Sequence, residues 1–199
     1  MAHKPQEKPT PVPPNVPPLA KEKPKLLVPK AVWEPIFFGS PGGIRARAKL
    51  SKLPDLREIV LPPGDVEVRL WEGFGLSPLQ GIVLKRSGEQ WMANWILPVD
   101  LVVNASATNA YTKVLAPPQS RWEGLWRRLV ENGLLTLPDS STFKDEQSVL
   151  DGVSYVVEIN QDKTYRTYEY GNPRYQPWPE ARAILALVDT LHQEFNLQG

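Results

Sequence analysis

The chain has no cysteine. Disulfides, thiolate metal sites and cysteine nucleophiles are therefore excluded, and the fold must rest on packing. Histidine is nearly as scarce, with His3 and His192 the two present. Two imidazoles without thiolates cannot build the usual zinc sets, so no metal and no cofactor is expected. No run of about 18 apolar residues occurs, so no membrane-spanning helix is expected either. The N-terminus lacks the charged-then-apolar pattern of a secretory leader. The compartment stays open on these grounds: cytoplasmic if Met1 is the native start, periplasmic or extracellular if a leader was removed.

Proline, by contrast, is abundant and unevenly placed. Ten of the 22 prolines fall within the first 35 residues, from Pro5 to Pro35. Proline fixes φ and removes a backbone donor, so this segment reads as an extended, unstructured Pro-rich arm over residues 1–33. The short apolar stretch Leu26, Leu27, Val28, then Val32 and Trp33, is where such an arm would land on a domain. Residues 34–199 read as a single globular domain. Hydrophobic residues make up 41% of the chain, enough for a core without staples.

Charge is divided along the same line. Residues 1–33 carry six lysines against Glu7 and Glu22, while the remainder carries 17 basic and 20 acidic residues. A mildly acidic domain is a poor nucleic-acid binder, because phosphate neutralisation supplies most non-specific affinity. The basic arm suits weak contact with an anionic surface or a protein partner.

Hydrophobic spacing then marks the elements. Ile44, Ala46, Ala48 and Leu50 alternate with Arg45, Arg47 and Lys49, a period of two that predicts a strand. Val66, Val68 and Leu70 repeat the pattern, and Gly81–Arg86 with Gln90–Leu97 predicts a hairpin about Ser87-Gly88-Glu89. Weaker extended signals lie at Leu101–Val103 and Tyr111–Leu115. Ser120 and Glu123 have the spacing of a capping box ahead of Trp122, Leu125, Trp126, Leu129 and Val130, predicting a helix over 121–132 that ends at Gly133. Trp126 is placed at the centre of its buried stripe. Val153–Ile159 and Thr164–Tyr170 predict a second hairpin, and Pro179 opens a last helix with Ile184, Leu187, Val188, Leu191 and Phe195 on one stripe. Strands without regular βαβ alternation predict an α+β domain: a mainly antiparallel curved sheet of about five to seven strands with two helices on one face.

Catalytic groups are sparse. His192 flanks an apolar stripe, with Asp189 its one guaranteed neighbour and no nucleophile tied to it. Asp139, Asp145, Glu146 and Asp151 match no calcium loop and read as a solvated surface. Gly39-Ser40-Pro41-Gly42-Gly43 lacks a following Gly-Lys-Ser/Thr and reads as a turn. Two surface candidates remain. Arg45, Arg47 and Lys49 form a basic stripe that could take an anion or protect an edge strand. Arg166, Tyr168 and Tyr170, with Arg174 and Tyr175, combine the residue types that dominate binding hot spots.

The expectation is a non-catalytic binding or accessory domain, tethered by its arm to a protein assembly or surface. The rivals are a hydrolase using two carboxylates among Asp139, Asp145, Glu146, Glu158 and Glu169, and a weak anion or nucleic-acid binder through the Arg45/Arg47/Lys49 strand.

Overall fold

The computed structural model describes residues 22–75, 77–98, 112–149 and 152–197. The expected extended segment Leu101–Val103, His3, Asp151 and most of the Pro-rich arm lie outside the described residues.

Among the described residues, seven strands form one sheet in the order β1-β7-β6-β2-β3-β4-β5. They are β1 (Lys25–Leu27), β2 (Val66–Gly73), β3 (Gln80–Ser87), β4 (Gln90–Ile96), β5 (Thr112–Val114), β6 (Ser154–Gln161) and β7 (Thr164–Gly171). Every pairing is antiparallel except β1 with β7. The α+β class is as the sequence indicates. The expected curvature is absent: the sheet is open and not curled. Its ladders run in unbroken register, for example Val66↔Gln161 through Gly73↔Ser154, so the bulges that would bend a sheet are missing from them.

Both hairpins form where turn chemistry places them. Gly88 takes φ +60 between β3 and β4, and Asp162 and Lys163 take φ +48 and +59 between β6 and β7. Two positive-φ residues match the right-handed twist of the flanking strands.

Helices α2 (Arg121–Glu131) and α3 (Pro179–Phe195) cover one face of the sheet. Val66, Val68, Leu70, Ile82, Val157, Ile159, Tyr168 and Tyr170 point into that layer and meet Leu125, Leu129, Ile184, Leu187 and Leu191. The stop after α2 is built as its spacing suggests. Gly133, at φ +88, lets Leu134 N–H reach the Leu129 carbonyl while its own N–H bonds Val130, and Leu134 is buried. The start is different. Ser120 makes no side-chain cap; its N–H donates instead to Glu194 Oε2 of α3 at 2.8 Å, and Arg128 binds the other oxygen of that buried carboxylate. A carboxylate from the neighbouring helix thus replaces the expected capping box.

Trp126 is half-buried, not central. Leu125 and Leu129 occupy the buried positions, while Trp122 and Trp126 lie against Trp91 of β4, with ring centroids 5.8 and 5.3 Å away.

The second face is also covered, which the expected two-helix layer did not include. Trp33, a π-helical turn at Pro35–Gly39 and helix α1 (Ile44–Leu50) pack Phe37, Phe38, Ile44 and Ala48 onto Trp71, Val83 and Val156. Segment 44–50 is therefore a helix, not the strand that its alternation suggested. Ile44, Arg47 and Ala48 are its buried residues, at positions i, i+3 and i+4. Alanine, arginine, lysine and leucine are strong helix formers, and Ile44 is the lone β-branched residue. Both layers squeeze β2 and β6, which are buried along nearly their full length. Gly81 serves this packing: a Cβ there would meet the Trp71 ring at 2.6 Å.

The last part of the expected arm belongs to this structure. Lys25–Leu27 pair with Thr164–Arg166, and Trp33 is buried. The three strand residues are themselves exposed, so β1 is held by its backbone and by ion pairs such as Lys163 with Glu22.

Candidate functional site

The Tyr/Arg set predicted from the sequence is split by the fold. Tyr168 and Tyr170 are fully buried under the loop that follows α2, with their hydroxyls donating at 2.8 Å to the carbonyls of Leu134 and Pro138. Arg166 is half-buried, donates to the Leu135 and Leu137 carbonyls and lies over the Tyr168 ring. These three are corrected from contact residues to structural ones. Alternation placed them on one side of β7, and that side is the one the helices cover.

Arg174 and Tyr175 fall elsewhere. They sit in a 3-10 turn, Pro173–Tyr175, that follows β7 after Asn172 takes φ +49. Both are exposed, Tyr175 to 63%, and they border a cleft at the end of the sheet.

The cleft consists of two adjoining hollows of about 220 and 270 Å³ that share Val153, Tyr155 and Arg174. Its wall is made by β2, which delivers Glu72 at its end, and by α3, which delivers Asp189 and His192. His192 Nε2 lies 3.2 Å from Glu72 Oε1. The same oxygen accepts from Gln80 Nε2 at 2.5 Å, and Gln80 Oε1 accepts from Trp95 Nε1 at 3.0 Å. A chain of four side chains from β4 to α3 thereby orients the imidazole.

The hydrogen bond that His192 donates to Glu72 raises the imidazole pKa above its ordinary value, against the opposing effect of burial. Burial pushes the Tyr155 phenol up, reinforced by Glu72 and Asp189 and opposed by Arg174. Groups of both signs therefore converge on one hollow. The carboxylate partner holds a proton on the imidazole Nε2 and fixes the orientation of the ring.

Glu72, Gln80 and Tyr155 were not singled out from the sequence. Glu72 stands 120 positions from His192, and no local spacing signals such a pair.

Of the carboxylates of the rival hydrolase reading, Glu158, Glu169 and Asp139 are engaged in hydrogen bonds. Glu158 is buried, with Oε2 accepting from Trp71 Nε1 at 2.7 Å and Oε1 from Tyr165 at 3.0 Å; burial raises its pKa. Glu169 accepts from Ser140 Oγ at 2.9 Å, and burial pushes it up to about 7. Asp139 accepts from the backbone of Ser141 and Glu169. Asp145 and Glu146 are exposed. Among the described residues, no group of three or more His, Asp or Glu is placed to hold a metal ion, and no helix is long and apolar enough to cross a membrane.

The basic stripe is also dispersed. On helix α1, Arg45 and Lys49 are exposed one turn apart while Arg47 is buried. Gly43, expected in a plain turn ahead of a strand, precedes this short helix as its N-cap.

Compared with protein-family models, curated proteins and solved structures, the chain matches none.

Proposed function

We propose that this chain is a non-catalytic binding or accessory domain that captures a polypeptide partner at the Arg174–Tyr175 rim and the adjoining cleft. The observation that carries this reading is the outward placement of Arg174 and Tyr175 beside a hollow lined by His192, Glu72 and Asp189. Tyrosine supplies contact area at low entropy cost, and arginine supplies a planar fork of donors. A hollow with both charge signs suits a peptide, whose own groups are of both kinds. The Pro/Lys-rich residues 1–21, ahead of the part that joins the sheet, act as the tether in this reading.

Capture from extracts of the native organism tests it. The Arg174→Ala/Tyr175→Ala double variant should lose the specific partner by tenfold or more with its melting temperature unchanged, since both side chains are exposed. Capture that survives the double variant, or no specific capture at all, would defeat the reading. A chain lacking residues 1–21 should retain capture.

A further inference from the structure

A separate cavity of about 250 Å³ lies on the other face of the sheet, between β2 and β6 below and helix α1 with the π-helical turn above. Its walls are apolar: Phe38, Ile44, Ala48 and Leu56, all buried. Turns of π-helix are rare and concentrate at functional sites, and this one contributes Phe38.

The floor is polar but self-satisfied. Arg69 gives Nε and Nη2 to Glu67 Oε1 at 2.8 and 2.6 Å, and Nη1 to the Pro54 carbonyl at 2.9 Å. Glu158 beside it is held by Trp71 and Tyr165. The rim is different. Arg57 grips both oxygens of Asp55 and reaches Glu34, while Arg45 also pairs with Glu34 and stands 3.9 Å from Asp55. Of the charged groups lining the cavity, Arg45, Lys49 and Arg69 are cationic and Asp55 and Glu158 are acidic, with Arg45, Lys49 and Asp55 at the mouth. Lys49, exposed on the rim, has no carboxylate partner among the described residues.

We propose that this cavity binds a small amphipathic anion, an aryl or short-chain alkyl carboxylate. The apolar body sits among Phe38, Ile44, Ala48 and Leu56, and the carboxylate meets Lys49 and Arg45 at the mouth. At ~30 Å³ per water-sized group the volume admits roughly eight such groups, which suits a single ring or a six-carbon chain and excludes a long lipid tail. Excess positive charge at the mouth favours an anion over an isosteric cation.

The test titrates the full chain with benzoate, benzyl alcohol and benzylammonium, followed by amide chemical shifts. Benzoate should saturate, shifting Ala48, Lys49 and Leu56, with benzylammonium at least tenfold weaker. Lys49→Glu, an exposed change, should weaken benzoate tenfold or more and leave the melting temperature within two degrees or so. Ala48→Leu should fill the cavity and abolish binding; if that variant fails to fold, Lys49→Glu alone decides. Equal binding of all three probes, binding of none, shifts clustered away from α1, or unchanged affinity in Lys49→Glu would overturn the proposal.

Discussion

His192 of the last helix and Glu72 at the end of β2 stand 3.2 Å apart, tying α3 to the sheet through the imidazole. Glu72 raises the His192 pKa above 6.5, so the folded state binds this proton more tightly than the unfolded chain. The stabilisation is present in full below pH 6.5 and is lost as pH rises through the raised value. The pair is partly solvated, so the effect is at most about 1 kcal/mol. Denaturant unfolding of the parent and His192→Gln from pH 5.5 to 9 should differ by this decline, over and above any change the two share. An identical pH profile in the variant would place the imidazole out of reach of Glu72.

Arg166 should behave as a structural residue. Its guanidinium satisfies the Leu135 and Leu137 carbonyls, and its loss leaves both without a donor. Arg166→Ala should cost about 2–3 kcal/mol, the range for hydrogen bonds to charged groups, and leave partner capture at the cleft intact once the variant is folded. Tyr168→Phe, which removes the bond to Leu134, should cost about 1–2 kcal/mol. Loss of capture with unchanged stability in Arg166→Ala would restore it to the contact surface.

Glu169 carries a penalty that a neutral residue would remove. Its carboxyl titrates at about 7 in the fold, against an ordinary value of 4.5 for the solvated side chain of an unfolded chain. Stability therefore falls as pH rises from 4.5 to about 7 and is constant above. At 1.36 kcal/mol per pH unit the penalty is on the order of 3 kcal/mol. Glu169→Gln should be more stable than the parent at pH 8 and close to it at pH 4.5. A variant destabilised at pH 8 would show that the ionised carboxylate is needed by Ser140.

Leu129 and Trp126 separate a core position from a flank on the same helix. Leu129 is fully buried, so Leu129→Ala should cost about 3–5 kcal/mol. Trp126 is half-buried against Trp91, and Trp126→Ala should cost less, about 1–2 kcal/mol. Chemical denaturation of the two variants decides the order; a larger cost at Trp126 would make it the keystone of the stripe.

Local spacing made much of the fold legible. The two hairpins, α2 with its glycine stop and α3 from Pro179 follow from turn residues and period, because each depends on neighbours within a few positions. The same spacing failed at 44–50, where alternating alanine and basic residues fit a strand and a helix alike. Packing against Trp71, Val83 and Val156 selected the helix. Of the five residues proposed as contacts, two, Arg174 and Tyr175, are exposed, whereas Arg166, Tyr168 and Tyr170 matched them in type and are taken up by the fold.

The sequence by itself determined the α+β class, the helix stops and the absence of thiol chemistry, since these rest on composition and on contacts between near neighbours. Only the tertiary structure decided which face of β7 is covered, that Glu194 caps α2, and that Glu72 meets His192 at the mouth of a cleft. Those outcomes depend on groups tens of residues apart, and a residue's burial is set by what the chain later lays across it.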